Sequence, residues 1–196
     1  MARAKADGLQ LVKDRSQAGQ DAYLHALARH AAQLGELPPV DPQEFGSLTP
    51  PYKFELIQRG PPFAVIYWRT EPGRIYPVHN HPNTNVCTLC TSGRARVRNF
   101  HVPSAPPVAD QDQAFEVIET GHEFLEPGAI NLVGEKRNNV HWFEAGASGA
   151  EGIDLSTTVG GMLPFSFMHL SAESRGLLDV RRYAARWVGK DARRAL

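Results

Sequence analysis

Residues 73–82 read Gly73-Arg74-Ile75-Tyr76-Pro77-Val78-His79-Asn80-His81-Pro82, and the two histidines at their end govern how the rest of the chain is read. Ile75, Tyr76 and Val78 favour extended backbone. In a strand, residues two apart project from the same face about 6.6 Å apart, so His79 and His81 can both turn toward one metal ion at roughly 2.1 Å. A third ligand must come from elsewhere. His141, in Asn138-Asn139-Val140-His141-Trp142-Phe143, lies in another predicted strand behind the turn-prone residues 134–139. Three histidines leave coordination positions free for substrate, water or dioxygen, which separates a catalytic metal from a structural one. Plainer roles exist for the same residues: a polar turn before Pro82, and a core histidine at 141 bonded to backbone.

Working outward, short runs rich in Val, Ile, Phe, Tyr, Trp and Thr alternate with Gly, Pro and Asn clusters. They predict strands over 63–69, 75–81, 86–91, 94–101, 114–119, 123–125, 130–133, 140–145, 152–158 and 165–170. So many strands without helices between them indicate an all-β sandwich or barrel. Residues 102–113, with three prolines and two aspartates, read as a surface loop. Ahead of the barrel, Tyr23, Leu27, Ala31 and Leu34 share one face of a helix over 20–34 ended by Gly35. Pro38, Pro39, Pro42, Pro50 and Pro51 then forbid helix and predict a linker. Leu177, Val180, Ala184, Trp187 and Val188 return to helical spacing. The expected organisation is an N-terminal helix and Pro-rich linker over 1–51, a barrel over 52–170, and a basic C-terminal helix over 171–196 that packs on it.

The chain's 196 residues suit one domain, and its 17 glycines and 15 prolines suit many turns between short elements. Lys plus Arg and Asp plus Glu number 21 each, so the sum offers no pull toward nucleic acid or anionic lipid. Residues 171–196 nonetheless carry seven basic against three acidic side chains, which leaves the barrel mildly acidic. Two cysteines are too few for a disulfide scaffold. There is no apolar run of ~18 residues, nor an apolar segment behind the N-terminal charges, so a cytoplasmic protein without a membrane partner is expected.

Gly73, His79-x-His81, Gly93 twelve residues later, and Pro127-Gly128 ahead of His141 together resemble the two motifs of the cupin superfamily. That resemblance implies an all-β cupin double-stranded β-helix, a jelly-roll barrel with flanking N- and C-terminal helices. The glutamate ligand of the usual first motif is absent from Pro82-Asn83-Thr84-Asn85-Val86-Cys87. A three-histidine site without it resembles the thiol dioxygenases. His79-Asn80-His81-Pro82, Val86, His141 and Asp154-Leu155-Ser156-Thr157 are most similar to the branch of plant cysteine oxidases and cysteamine dioxygenase.

The resemblance implies Fe(II), with another divalent metal as alternative, held by His79, His81 and His141. It implies O2 as co-substrate and a small-molecule thiol or a peptide's N-terminal cysteine as partner, in a monomer or homodimer. Asp154 is the candidate catalytic residue, holding a substrate ammonium; its plainer role is to orient a ligand histidine or cap a turn. The chain departs from its relatives in two ways. Asp154, Ser156 and Thr158 stand where small-molecule cysteine dioxygenase has Ser, His and Tyr, and Val159-Gly160-Gly161 replaces the tyrosine that follows the plant enzymes' aspartate. Two rivals are another metal-dependent cupin enzyme (a carbon–carbon-cleaving dioxygenase, isomerase or hydrolase) and a non-catalytic cupin that binds a ligand or senses metal.

Three further features have everyday readings. Cys87 and Cys90, three apart in a strand, face opposite sides and are read as packing residues. Arg94, Arg96 and Arg98 share one strand face and read as a solvated exterior. Phe165 and Phe167, with His169, share a face that can line an apolar pocket or pack in the core.

Overall fold

A computed structural model describes residues 2–34, 52–60, 62–103, 113–161, 165–171 and 180–188. Two helices, α1 (Ala2–Leu11) and α2 (Gln17–Ala32), precede nine strands: β1 (Tyr52–Gly60), β2 (Phe63–Thr70), β3 (Ile75–Asn80), β4 (Thr84–His101), β5 (Phe115–Leu125), β6 (Ile130–Val133), β7 (Val140–Thr158), β8 (Met168–Leu170) and β9 (Arg182–Trp187). Ser16 caps α2 by accepting a hydrogen bond from the Gly19 amide at 3.0 Å, and Tyr23, Leu24, Leu27 and Ala31 bury one stripe of that helix. No helix among the described residues is long and apolar enough to cross a membrane.

The architecture follows from two long strands. The first half of β4 pairs with the second half of β7 and with β6, while its second half pairs with the first half of β7 and with β5. Each long strand thus belongs to two sheets, ordered β1-β2-β7-β4-β6 and β3-β7-β4-β5-β9-β8, which are all antiparallel and joined through β4 and β7. That strand order is a jelly roll, the double-stranded β-helix expected from the sequence. The crossing point depends on glycine. Gly93 has φ +71°, and a Cβ there would stand 2.2 Å from the carbonyl oxygen of Gly149, itself at φ +79°.

Helices α1 and α2 cover the outer face of the first sheet, where Leu11, Tyr23 and Leu27 pack on Phe63, Val65, Cys87, Leu89, Ile153 and Leu155. Alternation then turns Trp68, Val86, Thr88, Cys90 and Asp154 to the inner face. The second sheet curls at its far edge until Phe167 bridges to His79 of β3, which closes a ring of strands around Phe100, Val117, Val140, Met168, Tyr183 and Ala185. Gly152 lets the Trp68 indole lie flat on the inner face, because a Cβ there would sit 2.3 Å from Trp68 Cζ2 and 2.4 Å from the Leu89 carbonyl. Gly152→Ala is expected to lower stability by about 2–4 kcal/mol through this overpacking, as read by urea denaturation; an unchanged midpoint would refute the contact.

The C-terminal helix expected over 171–196 is corrected where the structure describes it: residues 182–187 form strand β9, antiparallel to both β5 and β8. Val180, which a helical stripe would bury, is 40% exposed, whereas the alternating Tyr183 and Ala185 are buried. The unpaired edge of β5 supplies backbone partners that only a strand can take. Arg98 secures the strand. Its guanidinium donates to Glu119 (2.8 Å) and to the Tyr183 hydroxyl (2.7 Å), which in turn donates to Glu119 (2.9 Å). Burial alone would raise the Glu119 carboxyl, but these partners hold it below its usual range. Arg94 and Arg96 lie on the exterior as expected, stacked over Phe124 and ion-paired with Glu144 respectively.

Other boundaries shift. The expected strand pairs 86–91/94–101 and 140–145/152–158 are continuous in β4 and β7, and the expected helix over 20–34 begins earlier, at Gln17. Helix α1 and strand β1 were not foreseen. The expected linker between 35 and 51 and most of the expected loop (104–112) lie outside the described residues, as do 172–179 and 189–196.

Candidate metal centre

His79 sits in β3 directly opposite His141 of β7, and His81 lies just past the end of β3, where its amide donates to the Asn139 carbonyl at 2.9 Å. Two distant strands therefore bring the three sequence-predicted histidines to one point. Their Nε2 atoms lie 3.0, 2.9 and 2.9 Å from one another. His79 Nδ1–H donates to the Pro77 carbonyl at 2.8 Å, which fixes a tautomer with the Nε2 lone pair aimed at the other two rings.

These nitrogens cannot satisfy one another. A ring nitrogen that carries a proton has no lone pair left to accept with, so a triangle of Nε2 atoms always sets at least two lone pairs or two N–H groups against each other. A cation satisfies all three. The spacing is informative too: donors at ~2.1 Å from one ion are ~3.0 Å apart when they subtend right angles, and ~3.4 Å apart in a tetrahedron. The observed triangle fits three adjacent corners of an octahedron.

Burial holds His79 unprotonated, with its pKa lowered to about 4; burial and the neighbouring rings keep His81 and His141 well below the usual value. Between about pH 6.5 and about pH 4 the unfolded chain takes up protons that these side chains refuse in the fold, so the metal-free protein loses stability as pH falls through that window. Its melting temperature is expected to be roughly 5–10 °C lower at about pH 5 than at about pH 7. The same difference in a variant lacking all three histidines would show that they are not its source.

Around the triad, Tyr76, Phe165 and Phe167 set their rings 4.7, 5.7 and 6.0 Å from that of His79. The face that the sequence suggested for Phe165 and Phe167 is an aromatic flank of the site, whereas His169 is exposed. Asn80 pins the flank to β3: its side-chain oxygen accepts from the Ser166 amide at 2.7 Å and its own amide donates to the Ser166 carbonyl at 3.1 Å. Val86 is buried on the inner face, and the histidine group that could hold a metal contains no carboxylate among the described residues.

Asp154 faces the same interior. His141 packs on Phe143 (4.6 Å between ring centroids), Phe143 on Trp68 (6.0 Å), and Trp68 shares the inner face with Asp154, its indole N–H without a hydrogen-bond partner among the described residues. The Thr88 hydroxyl donates to Asp154 Oδ1 at 2.6 Å. Enclosure by protein raises the Asp154 pKa to about 6 against the pull of the Thr88 hydroxyl, although part of the residue still touches solvent-accessible space. Cys87 and Cys90 are free, buried and in separate apolar clusters, and burial pushes the Cys87 thiol up to about 12, so they pack as expected.

No family model and no curated protein matches the chain. Solved structures do. KdgF from Halomonas sp. is 14% identical over 59% of this chain and 87% of its own (TM-score 0.45). The cupin domain of Schizosaccharomyces pombe Cnp3 is 14% identical over 58% and 69% (TM-score 0.42). An uncharacterized conserved protein with a double-stranded β-helix domain from Klebsiella pneumoniae is 15% identical over 67% and 97% (TM-score 0.46). Of the coconut allergen cocosin the chain spans 32%. By its own strand order, the fold is a double-stranded β-helix. On that scaffold, the three histidines form a site that can hold a metal ion.

Proposed function

We propose that this cupin is a non-haem iron thiol dioxygenase that converts an amine-bearing thiol to its sulfinate with O2, in the balance RSH + O2 → RSO2H. The substrate class comprises cysteamine, cysteine derivatives and peptides with an N-terminal cysteine. The observation that carries the reading is the convergence of three neutral Nε2 donors, 2.9–3.0 Å apart, without a carboxylate beside them. Such a set would hold an ion through three neutral donors and leave coordination positions for substrate and O2, as a catalytic site requires and a fully ligated structural one does not.

Fe(II), when bound, supplies the redox chemistry that joins both oxygen atoms to sulfur. The chain's own residues do the rest. His79, His81 and His141 would hold the ion without neutralising it, so the site draws a thiolate and lowers the thiol's pKa. Asp154, with Oδ1 fixed by Thr88, accepts the substrate ammonium in a charge-assisted hydrogen bond. Tyr76, Phe165 and Phe167 wall the histidines on one side and limit water there.

Protein purified without chelators is expected to carry iron and to consume oxygen with cysteamine or an N-terminal-cysteine peptide, with a mass gain of two oxygen atoms in the product; cysteine and 3-mercaptopropionate complete the panel. Tight metal binding without oxygen uptake on any of these thiols would refute the reading and favour a ligand-binding or metal-sensing cupin.

A further inference from the structure

The inner face of the first sheet carries an arrangement that the metal site does not use. Thr88 of β4 lies opposite Asp154 of β7 on one side and opposite Asn131 of β6 on the other. Residues in register on neighbouring strands share a face, about 4.8 Å from one strand to the next. Ile130 and Leu132, the neighbours of Asn131 in β6, pack outward against the helices, so Asn131 points inward with Thr88 and Asp154. Three polar side chains thus form a row across three strands inside the barrel.

Asn131 is 1% exposed, and its Oδ1 has no hydrogen-bond partner among the described residues. A buried acceptor left in this state is destabilising, and a donor brought by a ligand recovers that loss. The amide cannot simply turn over, because Nδ2 donates to the Glu123 carboxylate at 3.4 Å and a flip would set two oxygens against each other. Thr88 spends its proton on Asp154 Oδ1, which leaves the hydroxyl lone pairs and Oδ2 of Asp154 to accept.

We infer that Asp154, Thr88 and Asn131 form one cradle for a primary ammonium group, and that Asn131 Oδ1 makes the cradle selective for an unsubstituted amine. An alkylammonium has three N–H donors, and the row offers three acceptors, one of them charged. An N-acylated amine lacks the charge and two of the donors; a quaternary amine lacks every donor. This deepens the proposed function, on which it rests for the presence of an amine in the substrate.

The test uses binding rather than turnover, so that loss of the oxygenase reading and loss of the cradle are separate results. Isotope-labelled full-length protein is titrated with ethylammonium and with tetramethylammonium, and the Asn131 side-chain and Thr88 backbone amides are followed by NMR. Ethylammonium is expected to shift both signals saturably and tetramethylammonium neither. Asn131→Leu and Thr88→Val, each close to its parent in shape, are expected to weaken ethylammonium binding at least tenfold with the amide spectrum otherwise preserved. Equal binding of the two cations, or a folded Asn131→Leu that binds ethylammonium as the wild type does, would overturn the cradle. Should Asn131→Leu fail to fold, Thr88→Val and the two-cation comparison decide the matter alone.

Discussion

Replacing His141 with alanine is expected to leave purified protein with only trace metal and to abolish oxygen uptake with every thiol, while the β-sheet circular dichroism spectrum persists. Two histidines from one short segment, His79 and His81, then remain, and the near-equilateral triangle of Nε2 atoms is lost. Changes to groups behind metal ligands already cost 10–100-fold in affinity or activity, so loss of a ligand should exceed about 100-fold. Stability should move the other way from a usual core truncation at mildly acid pH. His141 is held unprotonated by burial and by its two neighbouring rings, and its removal relieves part of the proton uptake that favours the unfolded chain. Metal analysis and a melt at about pH 5.5 check both halves. Stoichiometric metal in the variant would show that the cluster is a packed histidine group and not a metal centre.

Asp154→Asn is expected to separate activity from stability in opposite directions. The carboxyl has a pKa of about 6 in the fold against an ordinary value of 3.8, so between these values the folded chain holds a proton that the unfolded chain releases. Stability is therefore withdrawn as pH rises through that window, up to about 3 kcal/mol, and stays withdrawn above pH 6. Asparagine keeps the shape, can still accept from Thr88, and has nothing to ionise, so the variant should melt higher at about pH 7.5. Turnover of cysteamine should nonetheless fall about 100-fold, with iron content unchanged, because the charge that holds the ammonium is gone. In the wild type the same turnover should fall as pH drops through about 6, where the carboxylate is protonated. Iron loss that tracks the loss of turnover would instead assign Asp154 a role in holding the histidines.

The histidine cluster was legible because its signal is local: His79 lies near the end of a strand and His81 follows two residues later, a spacing independent of the strand's neighbours. Most of the strands were legible for the same reason. What the sequence obscured was decided by partners far along the chain. Tyr183-Ala184-Ala185-Arg186-Trp187 contains good helix formers at helical spacing, and only the open edge of β5 makes it a strand. Gly93 and Gly149 read as breaks between strands, yet the backbone passes through both with positive φ and stays in the ladder on either side. Asn131 gave no signal at all. An asparagine between Ile130 and Leu132 looks like the polar side of an edge strand, and its burial and unmet acceptor follow only from the second sheet that covers it.

The bridge between Phe167 and His79 joins residues 88 positions apart, and the pairing of His79 with His141 spans 62. Such closures must be made before the contacts they enable can repay the lost chain entropy, which places this protein among slow folders, on a timescale of milliseconds to seconds. The three histidines come together when β3 pairs with β7, so metal capture is expected to follow that long-range closure during refolding. A chain caught earlier would expose the β3 edge and its aromatic neighbours together, so the yield of folded protein is expected to fall as refolding concentration rises.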